Sequence, residues 1–267
     1  MMDELLWLWW VPLILVGLFV LPFMVGPILV YFTMRLSADP EVVEFDPEEP
    51  SLPIEIADHF DEVADRLEPP GFEVITAMAL PRQTPGVTVV LQLMLHRQNK
   101  DAAIACAIYA KTDMGIKLQT LYTEIVARYE DGTRICANNS DALSAFSYPD
   151  HYVMYQFTMV KNPAKLYRLF QRLLERHTPS GRKILRLESE RHDSIADYLA
   201  QGLLEEMDTQ IESGFLYLDE SRAAYRPTMK GALLMTWKNL PPLNSIAKAR
   251  RDHAARRILD ELKRERA

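Results

Sequence analysis

The side chains that most often carry chemistry are thinly spread along this chain. His59, His96, His151, His177, His192 and His253 stand singly, with no H-x-x-x-H pair to set two imidazoles on one helix face. Cys106 and Cys136, the only cysteines, lie in apolar runs (AAIACAIYA and TRICAN), where a thiol behaves as a small buried hydrophobe. They could bridge neighbouring strands in an exported domain, but no His or carboxylate partners stand beside them at metal-binding spacing. Ser144 and Ser147 precede His151 in a loop-like stretch and lack the context of a nucleophile elbow. Glu55, Asp58, Asp61, Glu62 and Asp65 recur opposite apolar residues, the spacing of a solvated helix face and not of a paired acid and base. Phosphate-loop and dinucleotide-binding glycine patterns do not occur. Asn138-Asn139-Ser140 matches a glycosylation acceptor. The expectation from these residues is a protein that is not an enzyme, with no catalytic residue, metal or cofactor.

What positions everything else is the N-terminus. No charge lies between Glu4 and Arg35, and Leu5 to Met34 is an apolar run of 30 residues. About 20 apolar residues suffice to cross a hydrocarbon core as a helix, so a single-pass anchor is expected. Trp7, Trp9 and Trp10 at one end, and Tyr31 and Phe32 at the other, suit the two headgroup levels as interface belts. Pro12, Pro22 and Pro27 free helix carbonyls that must find other partners in lipid. The start of the chain lacks the basic residues of a secretory signal, and no A-x-A site follows. Arg35, with no basic residue before the run, points to a cytoplasmic soluble domain.

The net charge is −7, which argues against a nucleic-acid partner. Charge is uneven: residues 244–267 hold eight Lys/Arg and four Asp/Glu, a net of +4, leaving −11 elsewhere. In that tail Lys248, Arg250, Arg251, Arg256 and Arg257 could meet anionic headgroups or an acidic protein partner. The opposing reading is a solvated helix with internal pairs such as Asp252–Arg256 and Glu261–Arg264.

Four regions are expected: an anchor (1–35), an acidic Pro-rich linker (36–52), an α+β domain (53–181), and a helical extension (182–267). Helical periodicity covers 53–67, with Ile56, Phe60, Val63 and Leu67 inward. Six strand-like runs follow: 72–80, 87–96, 102–112, 116–129, 133–138 and 151–158. The short connections, including a two-residue turn at Asp131-Gly132, predict an antiparallel meander of five or six strands. In the fourth run Leu121, Ile125 and Ala127 point to the dry face, while Thr120, Glu124 and Arg128 point to the wet one. The third run is rich in alanine (102, 103, 105, 107, 110), which suits close packing of a helix or a cavity. Asn162 caps a helix over 163–177, with Leu166, Leu169, Phe170, Leu173 and Leu174 as its apolar stripe. Asp193 caps another to about Ser213, a short hairpin spans 215–226, and a basic helix closes the chain from Ser245.

Two resemblances arise from this order. Helix, curved meander and long amphipathic helix resemble the helix-grip arrangement of START-type lipid-binding domains, which implies a cavity between sheet and helix. The hairpin followed by Thr228-Met229-Lys230-Gly231 resembles the wing of a winged-helix DNA-binding domain, over about 193–240. The expected function is a membrane-anchored, non-enzymatic interaction or scaffold module; the alternative is a tethered binder of an apolar, lipid-like ligand. A DNA-binding segment comes third.

Overall fold

The computed structural model describes residues 3–45, 52–84, 86–99, 101–113, 115–177 and 195–265. The described residues form six α-helices, a seven-stranded sheet and a three-stranded sheet, an α+β architecture. The first helix, α1 (Asp3–Thr33), carries no charge after Glu4, and Ile14–Thr33 is long and apolar enough to cross a membrane. The segment expected as a free linker supplies two short strands, β1 (Leu36–Ser37) and β2 (Val43–Glu44), one to each sheet. Residues 46–51 of that segment lie outside the described residues.

Next comes α2 (Ile54–Leu67), then the body of the large sheet: β3 (Phe72–Thr84), β4 (Val87–His96), β5 (Ala102–Thr112), β6 (Gly115–Arg128), β7 (Arg134–Asn138) and β8 (Tyr152–Gln156). Its order is β2-β3-β4-β5-β6-β7-β8. The expected meander therefore gains a seventh strand at one edge. At the other edge it loses its antiparallel rule, because β8 runs parallel to β7 with Arg134 opposite Tyr152. The connection between them, residues 139–151, is long enough to carry the chain back to the start of β7, which a hairpin turn cannot do. The turn between β6 and β7 also differs in kind. Gly132 N–H donates to Tyr129 O (2.9 Å), Tyr129 N–H donates to Thr133 O (2.9 Å), and only Gly132 has positive φ (+83°). That is a three-residue loop with glycine in the left-handed position, not a two-residue turn.

One face of the sheet is closed by α2 and by α3 (Pro163–His177), whose Leu166, Tyr167, Phe170 and Leu173 are buried with Ile56, Phe60 and Val63 of α2. Ala103, Ala105 and Ala107 of β5 belong to this core and are wholly buried; their small side chains let α2 lie close. The space where a helix-grip fold keeps its cavity is thus filled. Asn162 caps α3, its Oδ1 accepting from Lys165 N–H at 3.0 Å. Asn162→Ala should cost about 1 kcal/mol of unfolding free energy, measured by equilibrium denaturation.

The extension contains α4 (Ile195–Glu212), the hairpin β9 (Leu216–Asp219) and β10 (Ala224–Pro227), α5 (Met229–Trp237) and α6 (Leu243–Arg264). Asp193, expected as a cap, lies outside the described residues. β10 pairs with both β9 and β1, making the small sheet. Thr228 caps α5, accepting from Gly231 N–H at 3.1 Å. α6 closes on the first core through Ala255 and Leu262.

Candidate functional site

The face of the large sheet expected to be wet is covered by α4. Ile195, Leu199 and Leu203 pack over Met78, Leu80, Leu91 and Leu93. The fit is incomplete, and a cavity of about 330 Å³ remains between helix and sheet. Its floor is set by strand register, since alternate residues of adjacent strands share this face. Leu93 lies opposite Ile104, Ile104 opposite Glu124, and Glu124 opposite Asn138. One residue pair along, Leu91 lies opposite Cys106 and Cys106 opposite Tyr122. Polarity therefore rises across the sheet: aliphatic over β4 and β5, acidic and aromatic over β6, then Arg134 and Tyr152 on β7 and β8. From above, α4 contributes Leu199, Gly202, Leu203 and Glu206.

The polar corner is held by specific bonds. Asn138 Nδ2 donates to Glu124 Oε2 at 3.0 Å. Arg134 Nη2 donates to Glu205 Oε2 at 2.6 Å, tying β7 to α4. Burial pushes the Glu124 carboxyl above its ordinary range, and repulsion from Glu206 adds to this against the Asn138 bond. Glu206 is exposed as a residue, but desolvation by the protein around its carboxyl raises it too, opposed by Arg134. Such carboxyls hold protons more readily than exposed ones and can donate as well as accept. The thiols are not poised to react. Burial pushes Cys106 up to about 12 and raises Cys136 well above the thiol range, so neither supplies thiolate at neutral pH. Both are free; β6 separates their strands, which puts them beyond disulfide reach.

Asn138, read as a glycosylation acceptor, is buried and bonded into this corner. Asn139 is buried beside it, accepting from Thr123 N–H at 2.7 Å and donating to Val160 O at 3.2 Å. A second polar cluster sits where β4 turns into β5. Tyr167 Oη donates to Asp101 Oδ2 (3.2 Å) and accepts from Asn99 Nδ2 (2.7 Å). His96 Nε2 lies 2.7 Å from Pro70 O, and His96 Nδ1 accepts from Asn99 N–H at 3.0 Å. Burial pushes the Asp101 carboxyl up to about 7 against the Tyr167 bond. Among the described residues, no group of three His, Cys, Asp or Glu could hold a metal ion.

The residues singled out from sequence lie elsewhere. Trp7, Trp9 and Trp10 fall in the first turns of α1, with Trp10 exposed. Tyr31 and Phe32 are at its last turn, where their carbonyls accept from the buried Arg226 Nη2 at 3.1 and 3.4 Å. This guanidinium caps the helix C-terminus and pairs with Asp219 at 3.3 Å. In the tail, Lys248, Arg250 and Arg256 are exposed, whereas Arg251 bonds Asp252 (3.0 Å) and Asp141 O (2.9 Å). Arg257 meets Glu261 at 3.6 Å. The expected partners are thus exchanged: Asp252 takes Arg251 and the Thr158 hydroxyl, and Glu261 takes Arg257 and Arg176. The winged-helix likeness also meets a different setting. Among the described residues from 195 on, one long helix, α4, precedes the hairpin; β1 supplies its third strand, and α1 packs along α5.

The cavity residues were missed because Glu124 and Arg128 alternate with apolar neighbours as on an open sheet. The contrary signal was in β4, where Val89, Leu91, Leu93 and Leu95 are apolar in phase with the opposite face. A strand apolar on both faces is covered on both. No protein-family model, curated protein or solved structure matches the chain.

Proposed function

We propose that this chain is a membrane-anchored binding protein. Its soluble domain takes an amphiphile into the cavity beneath α4, the apolar body over β4 and β5 and a hydrogen-bonding or cationic end against Glu124 and Glu206. The observation that carries this reading is the cavity itself: about 330 Å³, graded from aliphatic to acidic, within the size range of small-molecule sites. Ligand binding thereby moves ahead of the scaffold role suggested by sequence. The proposed role is non-catalytic. Retention of α1 as an anchor is supported by its docking. Gly26 packs on Thr236, and Trp237 and Arg226 bond carbonyls of α1, contacts that a cleaved signal would remove.

Gly202 gives a clean test. It stands mid-helix over the cavity with nothing within 4 Å of where a Cβ would be. Glycine there costs about 1 kcal/mol of helix stability relative to alanine, and it leaves the cavity open. Gly202→Phe should fill the space, weaken binding of decylamine at least about tenfold (about 1.4 kcal/mol), and leave the melting temperature undiminished. The measurement is thermal shift of the full chain in nanodiscs with decylamine, decanol and decanoate. Failure of all three to shift the parent, or equal shifts in Gly202→Phe, sinks the proposal.

A further inference from the structure

α5 runs antiparallel to α1 and reaches far along it. Arg226, just ahead of α5, bonds the carbonyls of Tyr31 and Phe32; Thr236 lies against Gly26; and Trp237 Nε1 donates to Phe23 O at 2.9 Å. That last carbonyl needs an outside donor, because the residue one turn on is Pro27, which has no N–H. From Thr33 back to Phe23 is about 15 Å of helix. The tip that joins α5 to α6, Lys238 to Leu243, therefore lies at the level of Phe23 or farther toward the start of α1.

This inference rests on the reading of α1 as a membrane span. At about 1.5 Å per residue α1 is about 46 Å long, against a hydrocarbon core of about 30 Å. The crossing can therefore be set at different places along it. Placed as early as the charges of Asp3 and Glu4 allow, it ends near Met24, and the tip touches the edge of the hydrocarbon core. Placed at Ile14–Thr33, it puts α5 inside the leaflet. Every placement brings the tip to lipid. The deeper one also covers the exposed apolar face of α1 at Met24, Ile28, Leu29 and Phe32.

We propose that the α5–α6 hairpin dips into the leaflet beside α1 as a second, monotopic membrane contact. The tip is built for it. Trp237, Leu243 and Ile246 are exposed by 41, 40 and 47 %. Its polar groups are largely satisfied within the fold: Asn239 Nδ2 donates to Met235 O (2.7 Å), and Lys238 Nζ donates to Ser144 O (3.3 Å). Pro241 and Pro242 bring no N–H to be desolvated. Lys248 and Arg250, one to two turns up α6 and exposed, fall toward the headgroups.

Trp237 is the one tryptophan outside the N-terminal cluster. The full chain carrying Trp7→Phe, Trp9→Phe and Trp10→Phe, reconstituted in vesicles with brominated phosphatidylcholine, reports on Trp237 alone. A loss of its fluorescence to the bromolipid, with little quenching by aqueous iodide, is the expected result. The companion Trp237→Phe variant reports on the anchor tryptophans. If they are quenched by bromolipid and Trp237 is quenched only by iodide, the hairpin contact is overturned and the anchor stands. If bromolipid quenches neither set, the anchor reading fails and this inference goes with it.

Discussion

Raising the pH from about 4 to about 8 is expected to destabilise the folded domain through Asp101, by up to on the order of 4 kcal/mol. In the unfolded chain the carboxyl ionises near 3.8; in the fold, burial holds it at about 7. Between those values the folded state binds the extra proton, so stability is greatest at the acid end and falls as pH rises through the window. Above about 7 the cost is fully developed. Most proteins lose stability toward acid because their paired carboxylates must protonate, so the sign here is unusual. Glu124 and Glu206, also raised by burial, act in the same direction. Asp219 acts in the opposite one, held low by the Ser221 hydroxyl and by Arg226 and Arg222. Asp101→Asn keeps the shape and removes the charge. Urea titrations of the full chain at several pH values should show the variant losing most of the slope between pH 4 and 8, with its largest gain over the parent at pH 8. An unchanged slope in the variant would mean that Asp101 titrates normally in the fold.

The same residue shows what a sequence can and cannot disclose. The strand-like runs 87–96 and 102–112 leave Asp101 in the short connection between them, where it stands. That its carboxyl is roofed by Tyr167 depends on a helix packing across the sheet from more than sixty residues away. Local structure, by contrast, was open to reading, because period-two alternation, Asn162 as a cap and Pro-Gly breaks act within a few residues. β4 and β5 have the bounds expected, and α2 and α3 start within one residue of them. Pairing was legible only where turns are short. The 13 residues between β7 and β8 permit either direction, and the parallel choice was invisible. The cavity was hidden for a related reason. The stripe Ile195-Leu199-Leu203 announces that α4 must cover something, but not which face of which sheet. Once α4 lies over β4 to β6, Tyr122 and Glu124 are half-buried and, with Glu206 of α4, become the lining of a site.

Gly231 is the position where one methyl group should do most harm. A Cβ there would overlap the backbone carbonyl oxygen of Phe215 and stand 3.0 Å from its carbon. Neither atom can swing aside as a side chain would. That same oxygen accepts from Thr228 N–H (2.9 Å) and from the Thr228 hydroxyl (3.3 Å), so displacing it also loosens the cap of α5. Gly231→Ala should therefore cost about 3 kcal/mol, the upper part of the range for an overpacked site, even though alanine is the better helix former. Gly26 supplies the comparison. Its added Cβ would meet Thr236 Cγ2 at 2.5 Å, a side chain that can be shortened. Gly26→Ala alone should weaken the docking of α5 on α1, and Thr236→Ala should restore it, a coupling that a double-mutant cycle reads directly. No partner substitution can rescue Gly231→Ala, because its obstacle is main chain. Equilibrium unfolding of the four variants separates the two cases. Since α5 holds Trp237 against Phe23, loss of that seat in Gly231→Ala should also shift the Trp237 emission in the sole-tryptophan background.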